Sequence, residues 1–64
     1  MYNNFKTYMF QVDYEDENGK PRKRYYSFLL SQDSNIAFAS GVCAIINVLP
    51  LGSSINNVSM EKLD

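Results

Sequence analysis

Two stretches near the start of the chain alternate apolar and polar residues with a period of two. In residues 6–14 and again in residues 23–30, large apolar side chains fall on the even-numbered positions. Such alternation predicts β-strands that each present one apolar face. Asn18-Gly19 lies between the two stretches and favours a hairpin turn, because both residue types tolerate positive φ. The predicted apolar face of the hairpin consists of Tyr8, Phe10, Val12, Tyr14, Tyr26, Phe28 and Leu30.

The length of the turn decides which residues of the two strands lie opposite each other. A three-residue loop over positions 18–20, with a bulge at the glycine, places Phe10 opposite Phe28 and gathers the apolar residues on one face. We prefer this register. A bare two-residue turn remains an alternative, since it sets Glu15 against Arg22 and so pairs opposite charges.

After the second stretch the pattern changes to the spacing of a helix. Asp33 or Ser34 is the predicted N-cap, and the helix is expected to run to about Leu49, where Pro50 and Gly52 stop it. Residues at i, i+4, i+7, i+8 and i+11 form one stripe on a helix, and this stripe should cover the apolar face of the hairpin. The stripe consists of Phe38, Val42, Ile45, Ile46 and Leu49.

The opposite face of the predicted helix carries small residues and no charge. No charged residue occurs between Asp33 and Glu61, whereas a solvent-facing helix normally carries several. Small residues at four-residue spacing let two helices approach each other closely. We therefore predict a self-association face, with a merely short-side-chained surface as the alternative. The predicted face consists of Ala37, Ser40, Gly41 and Ala44.

Residues 55–63 predict a third strand, on which Val58 and Met60 share one face. The predicted fold class is therefore α+β in the order ββαβ: a small antiparallel sheet, made of the N-terminal hairpin and the C-terminal strand, covered on one face by a single helix. We expect one domain over residues 1–64, and a homo-oligomer. The apolar segment 36–51 has 16 residues, fewer than the roughly 20 that a spanning helix needs, so we expect no membrane insertion.

Composition narrows the chemistry that is open to this chain. A domain of 64 residues lies near the lower limit for a single apolar core, and its one cysteine, Cys43, excludes an internal disulfide. Because there is no histidine, a structural zinc site is not expected and the usual general base is missing. We therefore expect no catalytic site, no metal and no cofactor, and we interpret Cys43 as a small buried apolar residue. Self-association or docking on a larger protein remains as the source of additional stability.

Charged residues are concentrated at the predicted hairpin tip. An acidic run over residues 13–17 and a basic run over residues 20–24 form the two arms of one hairpin, so their charges should mostly cancel, and the net charge of the chain is −1. Nucleic-acid binding through the basic arm, with Tyr25 or Tyr26 stacking on bases, is an alternative function. A small-ligand pocket at an oligomer interface is a third possibility. The basic residues are Lys20, Arg22, Lys23 and Arg24.

One helix cannot cover both faces of the hairpin. Met9, Tyr25 and Leu29 remain on the outer face, with Phe5 as a candidate addition, and with Arg24 nearby they have the composition of an interface core. Half-solvated cross-strand packing is the competing interpretation. We predict a small non-enzymatic interaction module whose partner is another protein.

The order of elements and two short segments resemble small ββαβ domains of unknown function from Gram-positive bacteria and their phages. The segments are the turn at residues 16–21 (DENGKP) and the final stretch at residues 56–60 (NNVSM), and the likeness covers about residues 9–63. The tyrosine-rich strands and the uncharged helix depart from those families. The resemblance implies the fold and a bacterial or phage setting, where a regulator or inhibitor of a host system would be one instance, and it transfers no site. Since the first residues lack a basic start leading into an apolar run, we expect a cytoplasmic protein, in the host cytoplasm if phage-encoded.

Overall fold

The computed structural model describes residues 4–63, which form three strands and one helix. The elements are β1 (Phe5–Glu15), β2 (Pro21–Ser31), α1 (Ser34–Val48) and β3 (Ser54–Lys62). The strands form one antiparallel sheet in the order β2-β1-β3, and the helix packs on one face of it. The predicted α+β, ββαβ fold is confirmed. Residues 1–3, on which the expectation of a leaderless N-terminus partly rests, lie outside the described residues.

The core lies between the middle strand and the helix. The even-numbered side chains of β1 from Tyr8 to Tyr14 are buried because this strand has a neighbour on each side and α1 above it. The ring of Phe10 is the centre of this layer, with the ring of Phe28 edge-on at a centroid distance of 5.6 Å. The predicted apolar face of the hairpin is therefore confirmed, as is the shared face of Val58 and Met60. The partly buried residues of β2 and β3 around the core are Tyr26, Phe28, Leu30, Val58 and Met60.

The hairpin turn differs from both predicted registers. Phe10 lies opposite Tyr26, and Glu15 lies opposite Pro21. The loop has three residues, as preferred, but it consists of residues 17–19, so that the glycine comes last in it and not in the middle. Even-numbered residues still face even-numbered residues, and for this reason the slip of the register leaves the apolar face intact.

The aspartate that precedes the turn accounts for this register. The carboxylate of Asp16 accepts hydrogen bonds from the backbone N–H groups of Asn18 and Lys20, both at 2.9 Å. The N–H of Gly19 donates to the carbonyl of Asp16 at 2.9 Å, and Gly19 adopts a φ of 78°. This is a type I turn followed by a left-handed bulge residue, which requires the glycine at the third loop position.

The helix begins and ends where the sequence predicts. The carboxylate of Asp33 accepts from the N–H groups of Asn35 (2.9 Å) and Ile36 (3.2 Å), so Asp33 is the N-cap. Leu49 is the C-cap, directly before Pro50.

The side of the helix that faces the sheet is shifted from the predicted one, with which it shares the buried Ile45 and the half-buried Leu49. Ala37, Gly41 and Ile45 are buried, whereas Phe38 and Ile46 are exposed. A Cβ built at Gly41 would lie 2.7 Å from both Cε atoms of Phe10 and closer still to its Cζ. The ring of Phe10 fills the space between sheet and helix, and therefore the helix approaches the sheet through its smallest residues.

The molecule is elongated along the strands. Its principal extents are 47 × 17 × 15 Å, and its radius of gyration of 12.8 Å exceeds the roughly 10.7 Å expected for a compact chain of this length. A helix of 15 residues is only about 22 Å long, so α1 covers part of the length of the sheet. Within residues 4–63, no helix combines the length and apolar character needed to cross a membrane.

Candidate interaction surfaces

The face of the sheet opposite α1 has no covering element among the described residues. Odd-numbered side chains of β1 and β2 point to this face, because even-numbered ones point to the core. Met9 is 37%, Tyr25 60% and Leu29 67% exposed. The structure thus brings three of the four predicted partner-binding residues to one surface.

Two further apolar residues enlarge this surface. Phe5 is exposed at an odd position of β1. Leu63 is also exposed, and its N–H donates to the carbonyl of Thr7 at 2.9 Å, which extends the β1–β3 ladder and places Leu63 on the same face by strand alternation. We call the set of Phe5, Met9, Tyr25, Leu29 and Leu63 the outer patch. Leu63 was missed in the sequence analysis because its face depends on the pairing of β1 with β3.

The outer patch borders a shallow concavity of about 280 Å³. Glu61 lies opposite Met9 on β3 and supplies a charged rim. The lining residues are Met9, Gln11, Tyr25, Ser59, Met60 and Glu61.

The structure places the fourth predicted residue, Arg24, on the other side of the sheet. It lies opposite Val12, and its Nη1 donates to the hydroxyl of Tyr26 at 3.4 Å. This hydrogen bond, together with charge interactions with Tyr14 and Tyr26, holds the pKa of Arg24 above its ordinary value. Including Arg24 with Tyr25 and Leu29 was therefore wrong, because even-numbered residues of β2 share the face of α1.

The acidic and basic residues of the hairpin tip lie on facing strands, and one ion pair joins them. Nε of Arg22 lies 3.2 Å from the Asp16 carboxylate, and Asp13 lies opposite Lys23 across the strands. The pKa of Asp16 is lowered chiefly by the N–H of Lys20. Desolvation is the next-largest effect and opposes this lowering, while the N–H of Asn18 and the Arg22 side chain lower the pKa further. Since adjacent residues of a strand point to opposite faces, the basic arm divides between the two faces and forms no continuous basic stripe.

The outward side of α1 is apolar as well. Ile36 is 55% and Ile46 59% exposed, and Ala39 and Cys43 between them are exposed too. These residues follow one another at i, i+3, i+7 and i+10, which places them along one side of a helix. We call Ile36, Ala39, Cys43 and Ile46 the outer helix stripe. Interpreting Cys43 as buried was wrong, because the sheet meets the helix at Gly41 and Cys43 points the other way.

The predicted self-association face does not form one exposed surface. Ala37 and Gly41 are buried against the sheet, Ser40 is exposed, and Ala44 is half-buried. The placement of that face was wrong, because a helix that lacks charged positions gives no signal for which of its sides meets the sheet. Self-association itself stays a prediction.

The acidic and cysteine side chains of residues 4–63 are dispersed over the structure. No three acidic or cysteine side chains there lie close enough together to hold a metal ion. The buried side chains of the described residues are all apolar or tyrosine, with no buried charge.

Comparison of the chain with protein-family models, with curated proteins and with solved structures finds no match in any of the three.

Proposed function

We propose that the protein is a non-enzymatic interaction module that binds another protein through the outer patch and acts as a homo-oligomer. The observation that carries the proposal is the outer patch itself: five large apolar side chains, each at least 37% exposed, lie on one open face of the sheet. Scattered exposed apolar residues are common, but a contiguous patch of them on a small domain is typical of an interaction site.

The chemistry of the outer patch is that of an interface core with a polar rim. Aromatic residues and methionine are enriched in interface cores, and Tyr25 and Met9 lie near the middle of the open face. Both signs of charge border the patch, with Glu61 opposite Met9 and Lys23 opposite Asp13. A partner with an apolar centre and mixed charges around it fits this surface.

The energy available from the patch can be gauged from Leu29. Complete burial of a leucine side chain contributes about 1.5–3 kcal/mol. Leu29 is 67% exposed, so covering it would contribute about 1–2 kcal/mol to binding. Since about 1.4 kcal/mol corresponds to a tenfold change in affinity, loss of this one contact should weaken binding roughly tenfold.

The biological setting belongs to the same proposal. A cytoplasmic, phage-encoded regulator or inhibitor of a host system is the instance we favour. It is supported by the short chain and by the resemblance of residues 9–63 to domains from Gram-positive bacteria and their phages.

The test is affinity capture from a bacterial lysate with three forms of the protein. They are the wild type, Leu29→Asp in the outer patch, and Val48→Asp at the end of α1 as a matched control, since both positions are similarly exposed. We expect a protein partner that survives nuclease treatment, is lost with Leu29→Asp and is retained with Val48→Asp. A partner captured equally by all three forms would refute the outer patch as the binding surface.

The same experiment addresses the nucleic-acid alternative. Recovery that disappears after nuclease treatment, and that falls steeply with added salt, would indicate binding through the basic arm and would contradict the proposal. The split of that arm between two faces of β2 weighs against this outcome.

A further inference from the structure

The two ends of the outer helix stripe differ in shape. At the first turn of α1, Ile36 is 55% exposed and is the only large side chain of the stripe at that end. At the other end, an apolar concavity of about 310 Å³ lies between the end of the helix and the start of β3. Ile46, Leu49, Leu51 and Ile55 supply its apolar wall, and Leu51 is 94% exposed.

These two features are placed so that two copies of the helix can pack together with the isoleucine of each copy against the concavity of the other. A two-fold axis near residue 41, midway along α1, relates position 36 of one copy to position 46 of the other, and position 39 to position 43. The separation of Ile36 and Ile46 along the helix is about 15 Å. In such an antiparallel pair, each Ile36 meets the concavity beside Ile46 of the second copy, and the two contacts are equivalent by symmetry.

The residues between the two ends permit close approach. Ala39 and Cys43 are small, are exposed, and lie nearest the proposed axis. The distance between two packed helices depends on the side chains at the contact, and small ones allow the axes to come together. The larger isoleucines at the ends then interlock.

The electrostatics favour a second copy over a different protein. No charged residue lies between Asp33 and Glu61, so the described part of the seam places no like charges opposite each other. In an isologous interface the same surface of both copies meets, and two uncharged surfaces do not repel each other. The outer patch, by contrast, has a charged rim of both signs that suits a distinct partner.

We infer that a second copy of this chain packs antiparallel on the outer helix stripe, with Ile36 of each copy in the concavity formed by Ile46, Leu49, Leu51 and Ile55 of the other. The inference rests on the homo-oligomer in the proposed function and specifies its seam. It also leaves the outer patch of both copies open, on opposite sides of the dimer.

The dimensions of the molecule indicate the strength of the contact. The longest sides of the molecule measure at most 47 by 17 Å, about the 800 Å² that each partner contributes to an interface of standard size. A contact along α1 alone is about 22 Å long and covers about half of such a side. The dimer is therefore expected to be weak and to assemble with rising protein concentration.

Cys43 provides a native reporter for the seam. Its thiol is exposed in the monomer and lies within the proposed contact. Where sedimentation shows about 90% dimer, modification of Cys43 by a thiol reagent should be about tenfold slower than in dilute protein, since only the monomer reacts. A rate that stays constant while the mass doubles would place the seam elsewhere and overturn the inference.

Charge substitutions at the two ends test the antiparallel arrangement. Ile46→Glu alone and Ile36→Lys alone should each give a monomer by sedimentation, whereas the double variant should recover the dimer, because each introduced anion then faces an introduced cation. Leu29→Glu, on the opposite side of the sheet, is the matched control and should leave the dimer unchanged. All four variants alter exposed positions, and circular dichroism verifies that each is folded.

The possible failures are distinguishable. A dimer that persists in both single helix variants and is lost in Leu29→Glu would overturn the seam while leaving the homo-oligomer in place. Single variants that dissociate with no recovery in the double variant would overturn the antiparallel arrangement. A wild-type monomer at every concentration would refute both the inference and the homo-oligomer, while binding through the outer patch is judged separately by the affinity capture.

Discussion

The substitution Gly41→Ala tests whether the helix approaches the sheet as closely as the structure shows. Gly41 is buried in the middle of α1, and the ring of Phe10 occupies the space where a side chain would begin. The new methyl carbon would lie 2.7 Å from two ring carbons and closer to a third, and no such contact is tolerated without movement. The ring cannot withdraw freely, because Phe10 is fully buried against the rings of Phe28 and Phe38.

Two opposing effects set the magnitude. Alanine is a better helix former than glycine by about 1 kcal/mol, which on its own would stabilise the protein. Overpacking of a filled core costs about 1–3 kcal/mol, and the closeness of the contact at Gly41 favours the upper part of that range. We therefore expect a net loss of about 1–2 kcal/mol, which lowers the midpoint of thermal unfolding by about 5–15 °C in a domain of this size.

The assay is thermal and urea unfolding followed by circular dichroism. Ser40→Ala is the control, since this neighbouring position is exposed and should gain a few tenths of a kcal/mol from helix propensity alone. Phe10→Leu makes room for the methyl group, so the combined loss in the double variant should be at least 0.5 kcal/mol less than the sum of the single losses. A stabilising effect of Gly41→Ala, or strictly additive losses, would refute the close packing of α1 on Phe10.

Four further substitutions test local features of the fold. Removal of the N-cap in Asp33→Ala should lower the free energy of unfolding by about 1 kcal/mol, and an unchanged urea midpoint would contradict the cap. Gly19→Ala should lower the free energy of unfolding by about 1–2 kcal/mol through its φ of 78° alone, since nothing lies within 4 Å of the new Cβ. Gly52→Ala should lower it more, because φ is 84° and the new Cβ would lie 2.8 Å from that of Glu17. The reverse order of the two losses would contradict this comparison. The pKa of Asp16 lies below its ordinary 3.8, so its ionised form stabilises the fold above that pH and the stabilisation disappears as the pH falls through the lowered value. The difference in urea midpoint between wild type and Asp16→Asn should accordingly shrink in acid, and a difference independent of pH would be inconsistent with this role.

Much of the fold follows from local patterns. The period-two alternation, the turn signal at Asn18-Gly19 and the cap at Asp33 each depend on residues close together in the chain, and these features are all found. The register was wrong because several registers place the same apolar residues on the same face. Hydrogen bonds from the backbone to Asp16 decide among them, and a hydrophobic pattern contains no information about such bonds.

The candidate surfaces were harder to predict. An uncharged helix has no polar side to mark its exposed face, and only the volume of Phe10 beneath it brings Gly41 inward and turns Cys43 outward. The error in placing Arg24 on the outer face was of a different kind, since strand alternation alone places this residue on the face of Tyr26 and not on that of Tyr25. Leu63 joined the outer patch only once the pairing of β3 with β1 was known.

The position of β1 has a consequence for synthesis of the protein. Of the three described strands, the one made first lies in the middle of the sheet, and one of its neighbours, β3, is made after the other two. A growing chain that has formed the hairpin but not yet β3 therefore exposes an unpaired edge on its most apolar strand, and such an edge readily pairs with another chain. Slow translation of the segment between α1 and β3 should lengthen this interval and favour aggregation of nascent chains over folding.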